Sequence, residues 1–95
     1  MKPKFSIVIA VAPYRNAEVL KSLENLNYDK NKYEIIIKKG SNPSENRNYG
    51  IKKALGEIIY FIDDDAIIHK DLLKNAEAFL KKYNVDIVGG PQLTP

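Results

Sequence analysis

The stretch that most constrains this chain is residues 57–66, EIIYFIDDDA, where five consecutive apolar or aromatic residues run into three carboxylates. An apolar run this short, β-branched and aromatic, suits a strand buried on both faces better than a half-exposed one. Asp63, Asp64 and Asp65 then fall where the strand leaves its sheet, the edge at which open α/β sheets bind ligands. Side chains alternate along extended backbone, so Asp63 and Asp65 are expected on one side and Asp64 on the other. Three adjacent carboxylates repel one another, and a divalent cation relieves that repulsion. Hard oxygen donors suit Mg²⁺ or Mn²⁺, with diphosphate oxygens and water completing the shell. The plainer use of the same residues is one aspartate capping the next helix while the others are solvated.

The rest of the chain alternates strand and helix around this stretch. Residues 5–11 (FSIVIAV) read as a first buried strand, closed by Ala12 and Pro13. Asn16 is a suitable N-cap for a helix carrying Val19, Leu20, Leu23 and Leu26, and residues 27–32 form a polar turn. A second strand follows over residues 33–37, ended by Lys38, Lys39 and Gly40. Asn42 as N-cap places Pro43 at the first helical position and Glu45 at the third, so three start signals agree. That helix is expected to reach Leu55, with Gly56 as its stop. After the central strand, Leu72, Leu73, Ala76, Phe79, Leu80 and Tyr83 share one face of a last helix. Residues 85–88 (VDIV) read as a fourth strand. Such alternation predicts an α/β fold: a three-layer α/β/α sandwich, Rossmann-like, with a mostly parallel sheet and the first strand in its middle.

Ninety-five residues make one domain, residues 1–95, large enough for a real core but not for a second lobe. The net charge of +3 comes from lysines scattered along the chain, which argues against nucleic-acid binding. The absence of cysteine excludes disulfides and thiolate metal sites. No apolar run approaches a membrane span, and the start MKPK is no signal peptide, so the expected compartment is cytoplasmic. A sheet edge left open after residue 88 offers a surface for self-association.

The carboxyl-edge rule directs attention to residues 12–16, 38–44, 63–67 and 89–92. Lys38 and Lys39 supply positive charge there, and the helix beginning at Pro43 offers free backbone N–H groups. Arg47, one turn in, can reach an anion bidentately, and Tyr14 can stack on a base. Each also has a plainer use: solvated lysines, an Arg47 paired with Glu45 or Glu57, a half-buried Tyr14. His69 belongs to the loop or cap before the last helix, with no second ligand at a metal-binding spacing.

Residues 6–16 and 41–66 resemble the nucleotide-binding half of the family 2 glycosyltransferases, which have the GT-A fold. The block RNYGIKKALGEIIYFIDDDA, residues 47–66, is similar to that family's Arg-Asn, glycine, Ala-x-Gly-Glu, apolar strand and Asp-x-Asp pattern. The resemblance implies a nucleotide-diphosphate sugar donor, with Asp63 and Asp65 serving the ribose and an Mn²⁺- or Mg²⁺-bound diphosphate. Asp65 would be the direct metal ligand, and Arg47, Lys38 and Asp64 would belong to the donor pocket. Ala12, Pro13 and Tyr14 would border the base. Three features depart from the pattern. The acidic turn after the second strand is here Lys38-Lys39-Gly40-Ser41, a helix and strand before the Arg-Asn block are replaced by Asn42-Pro43-Ser44, and Pro-x-Tyr has become Ala12-Pro13-Tyr14.

The resemblance covers only the front half of that family's catalytic domain. The acceptor-binding half, with the general base that an inverting transfer needs, has no counterpart in these residues. The 95-residue chain alone is therefore expected to be inactive, and completion by a C-terminal half to make it a transferase. The alternative is a noncatalytic nucleotide- or metal-binding module. A haloacid-dehalogenase-type phosphatase or a response-regulator receiver fits less well. The first wants Thr or Val two residues after its Asp-x-Asp, where Ile67 stands, and the second wants acids after the first strand, where Val11 and Ala12 stand.

Overall fold

The computed structural model describes residues 3–83. Its elements are β1 (Phe5–Val11), α1 (Val19–Leu23), a 3₁₀ turn (Lys30–Lys32), β2 (Tyr33–Lys39), α2 (Pro43–Lys53), β3 (Ile58–Asp63) and α3 (Leu72–Tyr83). The three strands form a parallel sheet in the order β2-β1-β3, so the first strand is central as expected. The expected fourth strand, and the open edge beyond it, lie outside the described residues.

Side-chain alternation divides the sheet into two faces. Phe5, Ile7, Ile9 and Val11 of β1, with Ile58, Tyr60 and Ile62 of β3, face Val19, Leu23 and Leu26 on one side and Leu72, Leu73, Ala76 and Leu80 of α3. Each of the Phe, Ile, Val and Leu side chains here removed from water contributes on the order of 1.5–3 kcal/mol, so this face holds the main core. Burial also pushes the Tyr60 phenol up to about 12. The opposite face packs on α2, where Gly50 lies directly over Val8. Helices on both faces of a parallel sheet give the three layers that the alternating pattern predicts.

Four boundaries differ from the sequence expectation. The first helix is a single short turn, and Asn16 does not cap it: Glu18 holds that position without a side-chain cap bond. Its leading Val19 N–H is met by a tertiary contact instead, donating to the Asp64 carbonyl at 3.0 Å, while Leu20 and Lys21 N–H donate locally to the Ala17 and Glu18 carbonyls. β2 runs on through Lys38 and Lys39 because β1 remains beside it as far as Val11. α2 ends at Lys53, leaving Leu55 exposed. Gly56 is consequently no helix stop. Its N–H donates to Ser6 Oγ at 2.8 Å, and a Cβ there would come within 2.8 Å of the Phe5 and Ser6 backbone. Close approach of two chains, not a left-handed turn, requires glycine here. On α3, Phe79 lies at the margin of the apolar face and stays 42% exposed.

Candidate functional site

Where the three strands end, a cleft of about 540 Å³ opens. It is lined by the β1 exit (Ala12, Pro13, Tyr14, Arg15), the β2 exit and start of α2 (Gly40, Ser41, Pro43, Asn46, Arg47) and the end of β3 (Asp63, Asp64). Of the residues singled out in the sequence, Ala12, Pro13, Tyr14, Arg47, Asp63 and Asp64 therefore converge on one cavity. Lys38 and Asp65 are not among its lining residues. Lys38 instead lays its ammonium 4.9 Å from the centre of the Tyr49 ring. Tyr14 is 85% exposed, so it is not packing material, and Glu57 pairs with Lys4 rather than with Arg47.

The α2 wall is built by neutral groups. Asn42 Oδ1 accepts from the Glu45 N–H at 3.2 Å, the N-cap that the sequence announces. One turn later Asn46, only 3% exposed, donates through Nδ2 to the Gly40 carbonyl at 3.0 Å. The turn out of β2 is thereby tied to the helix that follows it, and the first turn of α2 borders the cleft.

The opposite wall is built by charge. β3 ends at Asp63, and the chain turns at once, Ala66 N–H donating to the Asp63 carbonyl at 3.2 Å. Strand geometry ends there, yet burial still sets Asp63 and Asp65 apart from Asp64, as alternation predicts. Asp64 is the buried carboxylate, 6% exposed, while Asp63 and Asp65 are exposed. Asp64 accepts from the Ala12 N–H at 3.4 Å and from Arg15 Nη1 at 3.1 Å. The same Nη1 lies 3.3 Å from Asp65. The hydrogen bond that Arg15 donates to Asp64, then the charges of Asp64 and Asp65, raise the Arg15 guanidinium above its ordinary pKa. A buried carboxylate is tolerable here because a cation and a backbone N–H replace its water.

Arg15 is the residue that the sequence reading missed. It stands in the 12–16 segment already assigned to the ligand edge, and the repulsion among three carboxylates that calls for a divalent cation can equally be met by an arginine of the chain. His69, placed by sequence before the last helix, does sit there: its Nδ1 accepts from the Asp71 N–H at 3.1 Å.

Among the described residues no group of three or more His, Cys, Asp or Glu side chains converges as a metal site. The donors that do stand at this edge are hard carboxylate oxygens, two of the three exposed. They fit a Mg²⁺ or Mn²⁺ ion that arrives with diphosphate oxygens and water, and do not fit one held by protein ligands alone. No helix among the described residues is long and apolar enough to cross a membrane.

Comparison with known proteins gives a consistent assignment. The family model described as glycosyl transferase family 2 matches residues 12–94. Two curated relatives, the poly(ribitol-phosphate) beta-N-acetylglucosaminyltransferases TarS of Staphylococcus aureus strains Mu50 and MW2, are each 39% identical over 46 residues. That stretch takes up 48% of this chain and 8% of each relative. The crystal structure of S. aureus TarS superimposes with a TM-score of 0.71 at 23% identity, covering 94% of this chain and 23% of that one. The likeness in structure is one of fold, and the chain spans a small part of the relatives it matches.

Proposed function

The chain belongs to glycosyl transferase family 2, and on that premise we propose that its cleft binds the nucleotide-diphosphate sugar donor of a sugar transfer. The observation that carries the reading is the convergence of Tyr14, Arg47, the first turn of α2 and Asp63 on one cavity at the carboxyl ends of all three strands. Tyr14 offers an exposed ring to a base, bordered by Ala12 and Pro13. Arg47 and the α2 N-terminus offer positive charge and N–H groups to the diphosphate. Asp63 faces the ribose. Asp65, with Asp63 beside it, would hold Mg²⁺ or Mn²⁺, and Lys38, outside the cleft lining with its ammonium on the Tyr49 ring, would add a longer-range charge. A bound divalent ion offsets the charge that builds on the nucleotide as its bond to the sugar breaks. Asp64 takes no direct part, since its oxygens are committed to Arg15 and the Ala12 N–H. Transfer to an acceptor hydroxyl belongs to the completed catalytic domain, where a general base must reach the attacking oxygen.

A calorimetric panel of UDP, GDP and their sugar conjugates, each with and without Mn²⁺, tests the reading. UDP-N-acetylglucosamine heads the panel because the relatives carry that sugar in their name. The expected result is binding of at least one nucleoside diphosphate that Mn²⁺ strengthens and Arg47→Ala weakens. A chain that is folded and binds none of them overturns the proposal.

A further inference from the structure

We propose that Arg15 is the resident counter-ion of the acidic strand end and competes with a divalent cation for Asp65, so that metal enters with the diphosphate and not before it. The inference rests on the donor-binding reading for the source of the ion, but it concerns the free protein and is tested without nucleotide.

The two contacts of Arg15 Nη1 are unequal. At Asp64 it reaches a carboxylate whose side chain is 7% exposed, at 3.1 Å; at Asp65 it reaches one that is 59% exposed, at 3.3 Å. Losing the first contact would strand a buried charge, whereas water readily replaces the second. Arg15 therefore stays on Asp64 and releases Asp65. A divalent ion approaching Asp65 meets the guanidinium beside it, and two like charges at such a distance repel strongly in a partly shielded site. A diphosphate changes this balance. It brings negative charge, supplies the oxygens that the carboxylates alone cannot provide, and gives Arg15, itself a lining residue of the cleft, an acceptor in place of Asp65. A free protein without Arg15 would carry three neighbouring carboxylates and no cation among them.

The test is a titration of the folded chain with Mn²⁺ alone, read by the paramagnetic resonance of free Mn²⁺. Arg15→Gln is expected to bind Mn²⁺ roughly tenfold more tightly than wild type. Arg15→Lys, which keeps the charge, should stay near wild type, and Arg15→Gln combined with Asp65→Asn should lose the gain. Equal affinity in wild type and Arg15→Gln overturns the proposal, as does a gain that survives in Arg15→Lys or in the double variant. Should Arg15→Gln not fold, the unmodified chain still decides the matter. It contains two arginines, whose side-chain ¹⁵N signals are assigned with Arg47→Lys. Saturating Mg²⁺ should shift the Arg15 signal as Asp65 is released, and a signal that stays in place contradicts the competition. Failure of the nucleotide panel leaves these metal-only results unaffected, so the two readings fail separately.

Discussion

One wall of the cleft, the exit of β2 with the start of α2, is fixed by amides and close packing, whereas the facing wall, the β1 exit with the end of β3, is fixed by charge. The first relies on Asn42, Asn46 and the contact of Gly50 with Val8. The second relies on Arg15, Asp64 and Asp65. Neutral hydrogen bonds and packing are indifferent to ionic strength, while exposed ion pairs are screened by it. The cleft thus pairs a wall set by local amides and packing with one set by ion pairs, which a cation or a polyanion would perturb first. A donor carrying both a metal ion and phosphates would meet Arg47 and the start of α2 on the first wall and the acidic strand end on the second.

The largest predicted effect lies in the core on which both walls rest. The Tyr60 phenol is raised by burial from 10.0 to about 12, so its neutral form is favoured in the folded state. That stability is fully present below pH 10 and is lost as pH rises through 12, about 3 kcal/mol for this group. Unfolding by urea at stepped alkaline pH should show the decline, and a flat profile through this window would break the account of the core. Gly50→Ala comes next and strikes the neutral wall. The added methyl overlaps Val8 Cγ1 and lies 2.9 Å from Cγ2. Removing glycine from a helix interior gains about 0.5–1 kcal/mol, but overlap in a packed layer costs about 1–3 kcal/mol. A net loss of stability is expected in thermal unfolding.

Two further substitutions sharpen the contrast. Asp64→Asn should cost about 1–3 kcal/mol, because it strips the buried partner from Arg15. Asp65→Asn, at the exposed end of the same bridge, should cost under about 1 kcal/mol, and less in high salt. Asn42→Ala on the other wall should cost about 1 kcal/mol, unchanged by salt. Unfolding curves in low and high salt check all three. A cost at Asn42 as salt-sensitive as that at Asp65 would erase the distinction between the walls.

The same division explains what the sequence could tell. The neutral wall is written locally: Asn42, Pro43 and Glu45 are cap, first-turn proline and capping-box acid within four residues, and the helix starts where they place it. β1 and β3 are legible for a similar reason, since each is an apolar run that a sheet covered on both faces buries, whereas edge strand β2 carries such a run with Ile35 and Ile37 left exposed. The charged wall depends on residues about fifty positions apart. Nothing near Asp64 shows that Arg15 folds back onto it, or that the chain turns immediately after Asp63. Short α1 is not announced by its sequence, because a bond from Val19 N–H to the distant Asp64 carbonyl, not a cap side chain, meets its first N–H. Gly56 was misread because a glycine needed for close approach looks, in sequence, like one that stops a helix.

The most direct test of the central reading is a calorimetric titration with UDP, in the presence and absence of Mn²⁺, comparing wild type with Asp65→Asn. Mn²⁺ should strengthen UDP binding to wild type by roughly tenfold. Asp65→Asn should keep the fold and lose most of that gain, because the exposed carboxylate contributes little to stability and is the ligand assigned to the ion. An equal Mn²⁺ response in both proteins would contradict the account and leave the acidic edge with Arg15 as a structural clasp.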